Sequence, residues 1–485
     1  MKKLLWFGAT RLGVFLTLTL VALLAPSLLA GAPFIAIPGV TTTAFAPGAA
    51  SDINEALKIF FNDPVIYNVV SDSELLGLFQ EDNNVKSDET TGGRYIETAQ
   101  YFVLPAGVGA RAEGEYIPVP DGPVIKNSRV YLKKIQGTVE MTGDVMRRVK
   151  GDMGAYLNWM ERALPDLVTR LNNELDRMVL GYGNGCKGRI QAAPAGATVK
   201  VNRAFGVAIG AAALTDTFLE FLEGERIVAS ANANGSPLKT PGAGQSGRII
   251  NIDSSTEPTY STLTFDAVPA GWALDDYLFA GDPSGASTQD AVGADREVMG
   301  LLGMVDDGQV LSTFQNLLRA TYKLWNSISL PIGGAPYNGV FNEQAIIVGD
   351  DTCYVQGGGK IDALISSRSA ARSLWGSMKT DRVLNDPRAY TGGKGALSIL
   401  LTDRTITLKV CRKMPPEIAF GIQRDVFKRW TLGGWTWDDT PGAIWNRVTD
   451  ATGRKDAFYA VGNLYLQLGN LAPRKNVRWS GILRA

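Results

Sequence analysis

The sequence contains no histidine at all. That absence removes Ser-His-Asp and Cys-His nucleophile pairs, histidine general bases and the commonest zinc ligand sets. Cysteine is scarce: Cys186, Cys353 and Cys411 are odd in number, far apart and without C-x-x-C spacing, so neither a zinc site nor a disulfide framework is signalled. Buried free thiols are the expectation. An excess of either charge is also missing, since 48 basic and 48 acidic residues cancel, and any nucleic-acid contact has to be local. No G-x-x-x-x-G-K-[ST] occurs. Gly357-Gly358-Gly359-Lys360 and Gly392-Gly393-Lys394 lack the hydroxyl that follows the lysine in that motif, and they read as turns.

What is present is size: 485 residues, 45% apolar and 20% charged, enough for two or more domains around a large core. The first residues form a distinct segment. Lys2, Lys3 and Arg11 lead an apolar run from Leu12 to Leu29, followed by small residues at Ala30-Gly31-Ala32, the three parts of a signal peptide. No charge appears from Leu12 through Ser51, and Pro26, Pro33, Pro38 and Pro47 punctuate the stretch, which disfavours a straight membrane-spanning helix in its second half. The segment has two readings, an export signal or anchor, and an apolar arm or leader of a protein that is not exported.

From Asp52 onward the pattern is that of a folded body. SDINEALKIFFNDPVIYNVV predicts a short amphipathic helix stopped at Asn62-Asp63-Pro64. β-favouring pieces from Tyr95 to Val103 and from Arg129 to Met141 flank a Gly- and Pro-rich stretch and predict a long two-stranded excursion. Such a hairpin has little core of its own and needs another surface. Leu157, Met160, Leu164, Leu167, Leu171, Leu175 and Met178 recur at steps of three and four, predicting a long helix that Thr142 or Asp144 caps, that Pro165 kinks or restarts, and that Gly181, Gly183 and Gly185 stop. Between 220 and 330, GERIVASA, GRIINIDSSTEPTYSTLTF, WALDDYLFAGD and EVMGLLGMVDD predict strands of a small barrel or sandwich. QAIIVGDDTCYVQ, ALSILLTDRTITLKVCRK and AFGIQRDVFKRW read as further strands, with a helix over IDALISSRSAARSLWGSM. The fold class is α+β with segregated elements.

Candidate chemistry is thin. The acidic pairs Asp275-Asp276, Asp306-Asp307, Asp350-Asp351 and Asp438-Asp439 sit at strand ends or beside glycine, where aspartate closes turns. Ser236 and Lys239 form the only S-x-x-K, inside the loop sequence NGSPLKTPGAG rather than opening a helix. Trp430, Trp435, Trp437 and Trp445 suit a tryptophan-rich core or subunit contact better than base stacking. The last 29 residues hold no acid and carry Arg474, Lys475, Arg478 and Arg484, a basic tail that is either solvated or set against phosphate or an acidic patch of another subunit. No catalytic, cofactor-binding or metal-ligating residue is nominated, and no enzymatic activity is expected.

The order of parts resembles the major capsid proteins of tailed bacteriophages, with their Hong Kong 97 type of fold. EALKIFFNDPVIYNVV stands in the place of an N-terminal arm, GGRYIETAQYFVLPAGVGARAEGEYIP in that of an extended hairpin, and RLNNELDRMVLGYGNGCKGRI in that of the long spine helix. GRIINIDSSTEPTYSTLTF and REVMGLLGMVDDG look like the β-rich insertion of many members, and KMPPEIAFGIQRDVFKRW and DAFYAVGNLYLQLGNLAPRKNVRW like the final strands. The resemblance implies an apolar arm or leader over 1–51, an arm with a short helix over 52–90, a hairpin loop over 91–128 and a peripheral domain with the spine helix over 129–190. It further implies the start of an axial domain over 191–219, an inserted β-rich domain over 220–310, and the axial domain with return strands over 311–485.

The function so implied is an icosahedral shell of hexamers and pentamers around double-stranded DNA, touched only weakly and without sequence preference. Scaffolding, portal and decoration proteins are further implied partners, no membrane is involved, and the place is the virion, assembled in the host cytoplasm. Some relatives join a hairpin lysine to a neighbour's asparagine. Lys126, Lys133 and Lys134 lie in or beside the hairpin, none matches that chemistry, and no crosslink is expected. The rival readings are a secreted or surface-anchored β-rich binding protein, supported by the opening residues, and a histidine-free hydrolase, which needs a convergent lysine and hydroxyl. With Ile135 read in the return strand of the hairpin, Ile135→Pro is expected to impair assembly by removing a ladder donor, as sedimentation of the expressed chain would record.

Overall fold

The computed structural model describes residues 75–82, 95–105, 107–116, 122–143, 153–209, 212–213, 221–239, 246–253, 260–281, 295–377, 398–400, 404–432, 435–438, 446–450 and 453–484. The apolar opening, the short helix expected after Asp52, Asp144, Gly392-Gly393-Lys394, Asp439 and Trp445 lie outside the described residues. The architecture is α+β and dominated by sheet. No helix among the described residues is long and apolar enough to cross a membrane.

One sheet is built on a single long strand, Gly453–Asn470, of 18 residues. Lys133–Thr142 runs antiparallel to it from Leu466 to Ala457, and Phe427–Thr431, Thr436–Trp437 and Asn446–Asp450 pair with it as well. The helix Met153–Leu180 packs on this sheet, with the Leu167 methyls over Gly137. It is one helix that contains Pro165 rather than beginning anew there; Thr142 is the last residue of a strand, and Gly143 directly after it is helical. Its apolar spacing delivers Leu175, Val179 and Leu180 to the main core, each such burial worth roughly 1.5–3 kcal/mol. Gly181 closes it, its N–H reaching the carbonyls of Arg177 and Met178.

The expected β-rich domain is a closed antiparallel barrel of six strands, Gly247–Asp253, Ser261–Phe265, Thr198–Asn202, Cys186–Ile190, Tyr277–Ala280 and Arg226–Ser230. Two of these strands precede residue 220, so the boundaries at 190 and 220 cut the barrel, which begins at Cys186. Cys-Lys-Gly-Arg-Ile carries no strand signature because its lysine is paired inside the protein. Lys187 is 1% exposed, with Nζ 2.6 Å from Glu225 and 3.5 Å from Glu174 of the long helix. Arg177 donates to Glu174 at 2.9 Å and to Glu297. Burial disfavours the Glu174 carboxylate, yet Lys187 and Arg177 outweigh it and hold the group far below the usual carboxylate range. The barrel is thereby joined to the end of the helix by charge as well as by chain.

A second six-stranded sheet runs Ile328–Pro331, Val477–Ser480, Ile418–Ile422, Ala363–Ser366, Thr405–Val410 and Ser398–Leu400, with Trp479 fully buried in its core. Here two sequence readings are corrected. QAIIVGDDTCYVQ is not a strand: Glu343–Gly357 is a helix, because the Asn342 side chain accepts the Ala345 N–H at 2.9 Å and Gly358, at φ +61°, turns the chain out. Its Ile-Ile-Val run mimics strand composition, while Ala345, Ile346, Gly349 and Cys353 recur at helical spacing on the buried face. In the segment read as one helix, Ala363–Ser366 is a strand and only Arg368–Ser377 is helical. EVMGLLGMVDD likewise forms a one-turn helix, Leu301–Met304, and no strand.

Asp306 ties these parts together. Its carboxylate accepts from the N–H groups of Gly308 (3.0 Å) and Leu311 (2.9 Å) and from the guanidiniums of Arg319 and Arg478, each at 2.7 Å. Arg478 also reaches Asp307 at 3.2 Å. All three of Asp306, Arg319 and Arg478 are essentially without solvent contact. Burial opposes the Asp306 charge, but Arg478, the Leu311 N–H and Arg319 prevail and its affinity for a proton falls below that of an ordinary aspartate. A lowered carboxylate contributes stability above its ordinary value that is lost as pH drops through the lowered one. Asp306→Asn therefore leaves the Arg319 guanidinium buried without its ion-pair partner and Arg478 with Asp307 alone, and is expected to cost about 3–5 kcal/mol in urea unfolding at neutral pH. The variant is also expected to show a shallower stability loss than the wild type below about pH 4.

Candidate assembly interface

The hairpin is two strands, Ile96–Val103 and Val124–Val130, paired antiparallel from Ile96↔Val130 to Val103↔Val124. This differs from the expected return strand of Arg129–Met141. The chain turns at Tyr131 and Leu132, and Lys133–Thr142 belongs to the long sheet, where Ile135 stands opposite Leu464. Ile135→Pro thus strikes the long sheet, not the hairpin. Alternation misled the boundary, since both strands show the same period of two and no glycine or proline separates them.

At its root the hairpin is fixed. Ser128 and Val130 are buried, the Arg129 N–H donates to the Gln315 carbonyl at 2.9 Å, and Arg129 Nε meets Glu97 across the ladder at 2.6 Å. Residues 124–127 are exposed, and beyond the ladder Leu104, Val108 and Tyr116 are 75%, 96% and 95% exposed. With Tyr101 and Ile125 also open to solvent, exposed apolar side chains run outward along the ribbon.

The other sequence candidates are placed differently. Lys126 is exposed on the hairpin, Lys133 donates to the Asp295 carbonyl at 2.7 Å, and Lys134 lies 5.8 Å from the Tyr465 ring. The acidic pairs do structural work: Asp276 accepts the Ala273 N–H at 2.7 Å and pairs with Lys239 at 3.1 Å, and Asp350 accepts the Ile361 N–H at 3.1 Å and pairs with Arg404. Lys239 is directed to Asp276, and the Ser236 N–H bonds to Asn234 at 3.2 Å. Gly357, Gly358 and Gly359 end a helix against Arg474 and Lys475, where a Cβ on Gly359 would lie 2.7 Å from the Lys475 backbone.

Trp430 is core, and Trp435 packs edge-to-face on Trp437 at 5.6 Å over the facing glycines Gly137 and Gly462. Of the basic tail, Arg478 is neither solvated nor on phosphate: it is the buried partner of Asp306. Cys186 and Cys353 are buried free thiols, their proton affinities pushed up to about 12 by burial, and Cys411 is half-buried. Sequence reading passed over Phe102, Gln315, Tyr322 and Trp325, which hold the hairpin to the body. Of these only Phe102 carried a signal, an aromatic residue just before a Gly- and Pro-rich stretch.

No protein-family model and no curated protein matches the chain. Among solved structures it is similar to the Cyanophage A-1(L) capsid asymmetric unit, at 10% identity and a TM-score of 0.47 over 87% of this chain and 95% of that one. It is similar to a structure of Mycobacterium phage Ogopogo at 10% identity and a TM-score of 0.41, covering 88% and 98%. The capsid of Myoviridae Phage XM1 aligns at 6% identity and a TM-score of 0.42, covering 88% and 97%.

Replacing Leu104, Val108 and Tyr116 together by serine is expected to leave urea unfolding within about 0.5 kcal/mol of the wild type, as for surface sites. The same variant is expected to lose higher-order species in analytical ultracentrifugation.

Proposed function

We propose that the chain is a shell subunit, the major capsid protein of a tailed phage or prophage, which self-assembles through hexamers and pentamers around double-stranded DNA. The observation that carries this reading is the hairpin. A ribbon that exposes Tyr101, Leu104, Val108 and Tyr116 gains its apolar burial only from another surface, and a second copy of the same chain supplies one at every position of a closed lattice. A soluble monomer would carry such a ribbon at the cost of aggregation.

In this reading the long helix and the sheet on Gly453–Asn470 form the peripheral domain, the barrel is the inserted domain, and the sheet with Trp479 at its centre is the axial domain. DNA is touched weakly and without sequence preference, in keeping with balanced charge. Scaffolding, portal and decoration proteins are the further partners, and the virion, assembled in the host cytoplasm, is the place. The signal-like opening belongs to an arm or leader in this account rather than to secretion. Electron microscopy of the purified chain across salt and pH is expected to show closed icosahedral shells or ring-shaped capsomers. A dispersed monomer under every condition would overturn the reading.

A further inference from the structure

The outer end of the hairpin ladder carries a device of its own. The pairing register shifts between Tyr101 and Val103, so that Phe102 is the extra residue of a β-bulge. Phe102 keeps the alternation of its own strand, on the half-buried face with Ile96, Thr98 and Gln100, while the extra residue bends the ribbon at this point. Tyr101 and Val103 point to solvent, 64% and 49% exposed, whereas Phe102 turns to the body. Its ring lies 4.6 Å from Tyr322 and 6.0 Å from Trp325. The socket is rigid: Trp325 is 3% exposed, donates its indole N–H to the Phe314 carbonyl at 3.0 Å, and has the Phe314 ring 5.9 Å away.

The hairpin therefore rests on the body at two separated points. At the root the Arg129 N–H meets Gln315, in the turn where Gln315 and Asn316 take φ of +49° and +66°. Near the last ladder pair, Val103↔Val124, sits Phe102. One attachment leaves a ribbon free to pivot, and two fix its direction, because a two-stranded ribbon has little stiffness of its own. The exposed Leu104, Val108 and Tyr116 follow this pinned end in the chain.

We propose that Phe102 is a positioning residue, a latch in the Tyr322–Trp325 socket that sets the direction in which Leu104, Val108 and Tyr116 stand out from the body and, through it, the diameter of the assembled shell. The second half rests on the shell-subunit reading; the latch does not. Lever geometry links them: a small rotation at Phe102 becomes a large displacement at Val108 and Tyr116, where neighbouring copies are met.

The test uses Phe102→Ala, Tyr322→Ala and the conservative Phe102→Tyr in the full chain. Hydrogen exchange of the Arg129 amide on unassembled protein is expected to quicken about tenfold in both alanine variants, the scale of one or two lost aromatic contacts, and to stay near wild type in Phe102→Tyr. Tyr322→Ala acts from the socket side with the hairpin sequence intact, and exchange of buried barrel amides in each variant separates release of the latch from general unfolding. In electron micrographs the alanine variants are expected to give shells of mixed or shifted diameter, with Phe102→Tyr restoring one size. Unchanged Arg129 exchange in both alanine variants overturns the latch. Faster exchange with a single wild-type diameter overturns its control of shell size. If the wild type forms no shell, the shell-subunit reading and the size control fall together, and the exchange measurement still decides the latch.

Discussion

Asp306 holds the chain together in a way no apolar contact could. It lies just after the one-turn helix Leu301–Met304, and it faces Arg319 from the turn region that receives the hairpin and Arg478 from the central sheet. Two neighbouring stretches and a third far along the chain are joined by one carboxylate whose remaining lone pairs are filled by backbone N–H groups. Ion pairs of this kind are costly to bury, and they discriminate strongly among arrangements, because any other docking leaves a guanidinium unpaired. The hairpin socket and the sheet that buries Trp479 inherit their relative placement from this tie.

A second ionic tie, around Glu174, does for the barrel what Asp306 does for the sheet. Lys187 opens the first barrel strand, Glu225 stands just before the third, and Glu174 and Arg177 lie in the last turns of the long helix. Elements of different period are thus locked by charge at their junctions and by apolar packing within each body.

Much of the architecture was legible in the residues. The long helix followed from leucines at steps of three and four, four of the six barrel strands from β-branched runs between turn residues, and the outgoing strand of the hairpin from β-favouring residues before a Gly- and Pro-rich stretch. Failures came where tertiary context overrode composition. The Ile346-Ile347-Val348 run looks like strand and is helix, since an Asn342 cap and the Gly358 exit fix the backbone while only one side of the run is buried. Cys186–Ile190 looks like loop and is strand, since its lysine finds two carboxylates that no local window reveals. Arg478 looks like a tail charge and is core, for the same reason. At the interface the exposed apolar residues lay within the stretch already suspected, but the bulge at Phe102 depends on register between two strands and has no signature in either alone.

The strand Gly453–Asn470 has a mechanical meaning. Extended over 18 residues it spans about 60 Å, and it is flanked for much of that length by Lys133–Thr142 on one side and by shorter strands on the other. A force along its axis loads the ladder in shear, so that many hydrogen bonds share the tension and must fail together. A force across it would peel them one at a time. The strand is a tension member, built to resist pulling along its own axis better than peeling across it.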